Sequence, residues 1–292
     1  MNKKQATSRR FFTQKNILNG FFLSSIISSQ LSANIYHDTV GQIKKIYNRV
    51  SRHAHLDFLS LDIVKSDTKF KEFLKQIAEN DQGILSEISA YYHPAGFIKI
   101  VLYKGDKGEQ LRFHFWGKGG PKAILQDFNN GWEPIHNHRW NFSSKIITGG
   151  LDMKEYHDAD ARMRFDNKDD AEDELINLNK TYKLYDVFII PSRKREEDYT
   201  IIQTGKFAVI GNYTRKYMRP GNSYYLDHRI PHKVKPEVDT STILLMDPAS
   251  KITASEIFPH VEDRFEEEFK LQYLSPEETQ RYLKEFLSSI QC

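Results

Sequence analysis

A chain of 292 residues, 39% hydrophobic and 28% charged, is long enough to bury a sizeable core and reads as globular, with one principal domain of roughly 150 to 200 residues plus extensions. Its net charge of +3 is too small to point to a nucleic-acid partner. A single cysteine, the terminal Cys292, excludes an intramolecular disulfide framework and a cysteine-rich metal centre, so any metal must be held by His, Asp or Glu.

The first acidic residue is Asp38, preceded by Lys3, Lys4, Arg9, Arg10 and Lys15. Such a basic, acid-free start is typical of targeting segments. Ser8-Arg9-Arg10-Phe11-Phe12 resembles a twin-arginine export signal, followed by an uncharged run from Asn16 to Tyr36. Asn19 and Gly20 interrupt that run, so an amphipathic helix packed on the domain reads equally well. A cytoplasmic location is the preferred expectation, with export as the alternative. The run is too polar for a stable membrane span.

Residues 39–92 show helical periodicity. Val40, Ile43, Ile46, Tyr47 and Val50 form one apolar stripe, and Phe70, Phe73, Leu74 and Ile77 form another behind a cap at Ser66-Asp67. His53 and His55, between these segments, lack a rigid strand to hold them and read as a solvated connection.

After His93-Pro94-Ala95-Gly96 the pattern becomes that of strands: Phe97 to Tyr103, a Gly-Asp-Lys-Gly hairpin turn, then Gln110 to Trp116. Arg112, His114 and Trp116 share one face of the second strand. Facing inward, Arg112 or His114 would hold a substrate anion; facing outward, they are ordinary surface residues. Residues 117–132 read as a Gly-rich, then polar loop. Residues 158–180 read as an acidic insertion without the spacing of a calcium loop, taken as a solvated excursion, with a partner-binding lid as the alternative. Strands resume at Tyr182 to Ile190, Tyr199 to Thr204, Phe207 to Tyr213 and Lys216 to Met218. Residues 251–292 are expected to be helical, closing with a helix capped by Ser275-Pro276-Glu277-Glu278. Glu266-Glu267-Glu268 reads as a solvated face and also resembles the glutamate-rich signal of type IV secretion substrates.

The chemistry concentrates in two blocks. In Pro134-Ile135-His136-Asn137-His138, two histidines two residues apart on an extended segment point to one face, about 7 Å apart along the strand. That is chelating geometry. Gly149-Gly150 reads as the turn of the hairpin that this segment opens. Downstream, Pro220-Gly221 and Ile230-Pro231-His232-Lys233-Val234 bring in a third histidine, with His228 competing for the role because strand register alone decides which ring points inward.

In order and spacing, though less in identity, the two blocks resemble the paired motifs of the cupin superfamily over residues 93–250. The resemblance implies a mainly β fold, a double-stranded β-helix or cupin jelly roll, with helical extensions at both ends. Most cupins carry a Glu ligand shortly after the His pair; Ser143 stands there, so the implied ligand set is His136, His138 and His232. That set is similar to the branch of cysteine dioxygenase-like proteins, which share the strand ending in Trp116. The family's substrate-binding Arg falls near Lys99, and its later His and Tyr fall near Leu244 and Met246, so its supporting residues are missing. The scaffold and metal are implied, the substrate is not.

The expected function is a metal-dependent cupin, a mononuclear non-haem iron oxygenase acting on a small polar or anionic molecule. Fe(II) is the preferred metal, and Zn, Mn and Ni also accept imidazole. Lys99, Arg112 or Tyr225 would orient the substrate and His228 would be the nearby acid or base. The alternative, from another class, is a cupin that binds a ligand without turnover, or a secreted effector that uses the barrel for recognition.

Overall fold

A computed structural model describes residues 35–79, 83–117, 131–157, 162–178, 181–191, 198–250, 254–261 and 268–290. The amino-terminal residues 1–34, residues 118–130 of the loop after Trp116, and Glu266-Glu267 lie outside these residues.

Helix α1 covers residues 35–47 and is followed by α2 (Ala54–Ser60), α3 (Asp62–Lys65) and α4 (Asp67–Glu79). The apolar stripes are buried as their spacing predicts: Ile43, Ile46 and Tyr47 on α1, and Phe70, Phe73, Leu74 and Ile77 on α4. Val50 departs from its stripe and is fully exposed, because α1 ends before it and the chain turns out to solvent. Ser66 accepts the N–H of Lys69 at 3.3 Å, completing the first turn of α4.

Among the described residues seventeen strands follow in sequence, and two antiparallel sheets hold fifteen of them. The first sheet has the order β12-β5-β14-β3-β2-β1-β17. It is built from β1 (Ser89–His93), β2 (Phe97–Lys104), β3 (Gln110–Trp116), β5 (Phe142–Thr148), β12 (Ser223–Leu226), β14 (Thr240–Met246) and β17 (Gln272–Tyr273). The second has the order β11-β6-β13-β4-β15-β8-β10-β7. Its members are β4 (Ile135–His136), β6 (Leu151–Glu155), β7 (Arg162–Phe165), β8 (Lys183–Pro191), β10 (Ile202–Ile210), β11 (Thr214–Met218), β13 (His232–Pro236) and β15 (Ala254–Phe258). Strands β9 (Asp198–Thr200) and β16 (Glu268–Lys270) pair with each other.

Consecutive strands cross from one sheet to the other: β4 to β5 to β6, and again β11 through β15. That alternation, with antiparallel pairing throughout, makes the fold a jelly-roll β-sandwich. It also changes the reading of Gly149-Gly150. Strands β5 and β6 do not pair with each other, so these glycines turn the corner between sheets and close no hairpin. Gly149 has φ +68°, and a Cβ there would stand 2.6 Å from the Cα of Thr240, so only glycine fits the corner.

The helices cover the outer face of the seven-stranded sheet. Ile98, Ile100, Leu111, Phe113, Ile243 and Leu245 point into them, against Phe70, Phe73, Leu283 and Phe286. With helices outside and the second sheet inside, β14 is buried along its whole length, which is why it reads as a continuous run without alternation. The last helix, α6 (Pro276–Ser289), has the expected capping box: the Ser275 hydroxyl accepts from the N–H of Glu278, whose side chain accepts from the N–H of Ser275.

Two other expectations change. Beyond Pro248 the chain is not wholly helical: β15 inserts between β4 and β8, and among the described residues there helix is confined to α6. Ile257 pairs with His136 on one side and with Phe188 on the other, so sheet contacts prevail there. The acidic stretch is not a bare excursion either, since it forms the edge strand β7 and helix α5 (Lys168–Asn177). Asn167 caps α5 by accepting the N–H of Asp170, and Ala171 packs beneath it.

Candidate metal centre

His136, His138 and His232 come together, with ligand atoms all within 4.8 Å of one another. Register decides this. On the eight-stranded sheet His232 is the direct cross-strand partner of His136, and Glu155 and Ile257 continue the same row on either side. Directly opposed residues project to one face, so both rings enter the sandwich. Strand β4 ends at His136, and two residues on His138 turns its ring into the same space. Ring centroids lie 4.4 Å apart for His136 and His232, and 5.0 Å apart for His138 with each of the others.

Two of the rings have fixed tautomers. The Nδ1–H of His136 donates to the carbonyl of Pro134 at 2.9 Å, and that of His232 donates to the carbonyl of Ile230 at 3.2 Å. A carbonyl can only accept, so Nδ1 carries the proton and Nε2 keeps its lone pair for an ion. The ring of His138 stacks on Trp140 at 5.5 Å and meets the edge of Phe142 at 5.3 Å. Burial holds all three imidazoles below the usual value, and His138 is pushed further by His136, His232, Arg112 and Lys99. Neutral imidazoles with converging lone pairs are what a divalent ion of the iron-to-zinc series requires, so these residues fit such a metal.

A carboxylate at Ser143 would not join them. Phe142 lines the cavity, whereas Ser143 pairs with Leu245, whose side chain belongs to the helix-facing core. At the end of the histidine row, buried Glu155 accepts from Lys216 and His157, both at 2.6 Å.

The cluster opens on a cavity of about 170 Å3 between the sheets. Opposite the histidines, Tyr91, Lys99, His114 and Thr242 lie side by side across β1, β2, β3 and β14. One step along, Arg112 faces Leu244. The face of β3 left open by its alternation therefore looks inward, and Arg112, His114 and Trp116 all line the cavity. Lys99 and Arg112 are buried, with Lys99 set 5.2 Å from the centre of the Tyr91 ring and Arg112 5.0 Å from that of Trp140. The Nε of Arg112 donates to Gln110 at 2.8 Å. Burial, together with Lys99 and Arg112, holds His114 well below its usual value.

The structure does not bring Tyr225 and His228 into this space. Tyr225 lies on the outer face of β12, 38% exposed, and its neighbour Tyr224 lines the cavity in its place. His228 sits in the turn after β12, where its ring and its backbone N–H both donate to Asn141 Oδ1, at 2.8 and 2.9 Å. His53 and His55 stand at the start of α2, apart from the cluster. His93 and Glu133 are among the cavity residues that escaped the sequence reading. His93 ends β1 and stacks on Phe97, so extending the alternation of β2 to its partner would have found it. Glu133 precedes the motif in a segment with no periodicity, and no signal marked it.

No protein-family profile matches the chain, and no curated protein matches it. Among solved structures the chain is similar to a variant of Bacillus subtilis oxalate decarboxylase at 10% identity and a TM-score of 0.31, over 59% of this chain and 30% of that one. It is also similar to Lactobacillus farciminis oxalate decarboxylase in a formate complex, at 9% identity and a TM-score of 0.30, over 61% and 36% of the two chains. A third likeness is to the hydroxypropylphosphonic acid epoxidase of S. wedmorenis, at 9% identity and a TM-score of 0.29, over 74% and 96%. The chain spans about a third of the length of the decarboxylase chains it matches. The fold stands on its strand order and register.

Proposed function

We propose that the chain is a metal-dependent cupin that binds one divalent ion through His136, His138 and His232 and works as a mononuclear non-haem iron oxygenase on a small polar or anionic molecule. The observation that carries this reading is the convergence of three neutral imidazoles on the wall of a cavity whose facing wall bears Lys99 and Arg112. Bound Fe(II) would supply activation of O2 and a Lewis-acid contact to substrate. The chain's own residues do the rest. Lys99 and Arg112 attract and orient an anionic group, and Phe97, Trp116, Trp140 and Leu244 keep bulk water out. At about 170 Å3 the cavity is smaller than the roughly 300 Å3 at which common ligand pockets begin, which favours a short molecule.

The three-His set without a carboxylate supports the cysteine dioxygenase-like branch. Leu244 and Met246 depart from it, so the substrate is not carried over. The apolar side chain of Leu244 on the cavity wall favours the second reading, a cupin that binds its ligand without turnover.

Elemental analysis of protein prepared without oxygen tests the proposal. One equivalent of iron in the parent, lost in His136→Ala and His232→Ala with the fold intact, followed by O2 uptake with short anionic compounds, is the expected result. Metal binding without O2 uptake would leave the binding cupin. No metal, even after reconstitution, would end both readings as metalloproteins.

A further inference from the structure

Glu133 is the one cavity carboxyl that the metal reading leaves without a task among the described residues. It precedes β4, and its backbone N–H donates to the carbonyl of Val234 at 2.9 Å, which ties the segment to β13. Its side chain lines the cavity with Pro134, Leu151, Tyr224 and Val234. Only 7% of the residue is exposed, and its Oε1 is buried without a hydrogen-bond partner.

A structural carboxyl is seldom left in that state, because a buried polar atom without a partner has lost its water and gained nothing in return. Such a group on the wall of a ligand cavity is met by the ligand. Its position is informative. Glu133 is tied to the eight-stranded sheet through its backbone bond to β13, whereas Lys99 and Arg112 are on strands of the seven-stranded sheet, so carboxyl and cations line one space from different sides. Burial pushes the Glu133 carboxyl up to about 8, so at neutral pH it keeps its proton and can donate as well as accept. A neutral acid selects a neutral oxygen, as a buried ionised carboxylate would select a cation.

We infer that Glu133 contacts the substrate, and that the substrate is a short acid with a neutral hydroxyl or carbonyl oxygen remote from its anionic group. The anion lies against Lys99 and Arg112, and the neutral oxygen forms a hydrogen bond with Glu133. This rests on the proposed reading of the cavity as a small-anion site beside the metal.

The test uses the full chain loaded with Co(II), with tryptophan fluorescence from Trp116 and Trp140 as the signal. The probes are propionate, 3-hydroxypropionate and 3-aminopropionate near pH 7. In the parent, 3-hydroxypropionate is expected to bind about tenfold more tightly than propionate. Glu133→Gln, neutral and of the same shape, keeps that preference. Glu133→Ala removes it, so that the two acids bind alike, and Glu133→Leu serves the same comparison if the alanine variant does not fold. Equal binding of the two acids in the parent overturns the role of Glu133 and leaves the anion cavity standing. So does a preference for 3-aminopropionate that Glu133→Gln abolishes. If none of the three acids binds the cobalt-loaded parent, the anion cavity itself falls, and this inference with it.

Discussion

His232 stands directly across the strand ladder from His136, their ring centroids 4.4 Å apart, although 96 residues of chain separate them. This pairing between β13 and β4 turns two sequence motifs into one site. It also sets His232, and not His228, beside His136, since the ring of His228 meets Asn141 in the preceding turn.

Alanine at His136, His138 or His232 is therefore expected to weaken metal binding by more than about 100-fold, beyond what loss of a merely supporting contact costs. His228→Ala should leave it unchanged. Cobalt titration followed by absorbance checks both statements, with far-UV circular dichroism to show that each variant is folded.

The histidines make the metal-free protein acid-sensitive. Unfolded imidazoles take up protons around their ordinary 6.5, whereas burial keeps the folded ones neutral. The unfolded chain then binds more protons below that pH, so stability falls as pH drops, by at most about 1.4 kcal/mol per pH unit for each imidazole. Urea midpoints at about pH 7 and pH 5.5 should show the loss, with a shallower dependence in His232→Asn.

Glu133 has the opposite sign. Its folded value is raised from 4.5 to about 8, so its favourable contribution is complete below 4.5 and is lost as pH rises towards 8. The parent should weaken relative to Glu133→Gln across that window, by up to roughly 1.4 kcal/mol per pH unit. Equal differences in unfolding free energy at about pH 5 and pH 8 would contradict a buried neutral acid.

The sheet corner admits little change. Gly149→Ala forces φ +68° on an L side chain and sets its Cβ 2.9 Å from the backbone N of Thr240, a cost of roughly 2 to 3 kcal/mol. Chemical denaturation should register it as a lower midpoint.

Stability and site separate at β3. Phe286 packs on Phe113 with ring centroids 4.8 Å apart, on the face of β3 opposite to Arg112 and His114. Phe286→Ala should cost about 3 to 5 kcal/mol while cobalt stoichiometry in the folded protein stays the same. A matched thermal melt and metal titration would separate the two effects.

Much of this fold was legible from local patterns. The Gly105-Asp106-Lys107-Gly108 turn, the capping box at Ser275 and the stripes of α1 and α4 are short-range features, satisfied within a few residues by hydrogen bonds or one apolar face. Strand β15 was not legible, because Ala254-Ser255-Glu256-Ile257-Phe258 does not alternate and becomes a strand only where β4 and β8 offer hydrogen bonds on both sides. The side to which Arg112 and His114 point was equally hidden, since alternation shows that they share a face and says nothing of what lies over it.

The sequence by itself determined the residue types available to hold a metal, the two motifs that carry them, and a β-rich domain flanked by helices, all written in composition and short periods. Only the tertiary structure decided that Gly149-Gly150 turns between sheets, that His232 and not His228 meets His136, and that Glu133 shares a cavity with Lys99 and Arg112. Those relationships depend on long-range register and on which sheet covers which face, and neither is encoded within one turn or one strand.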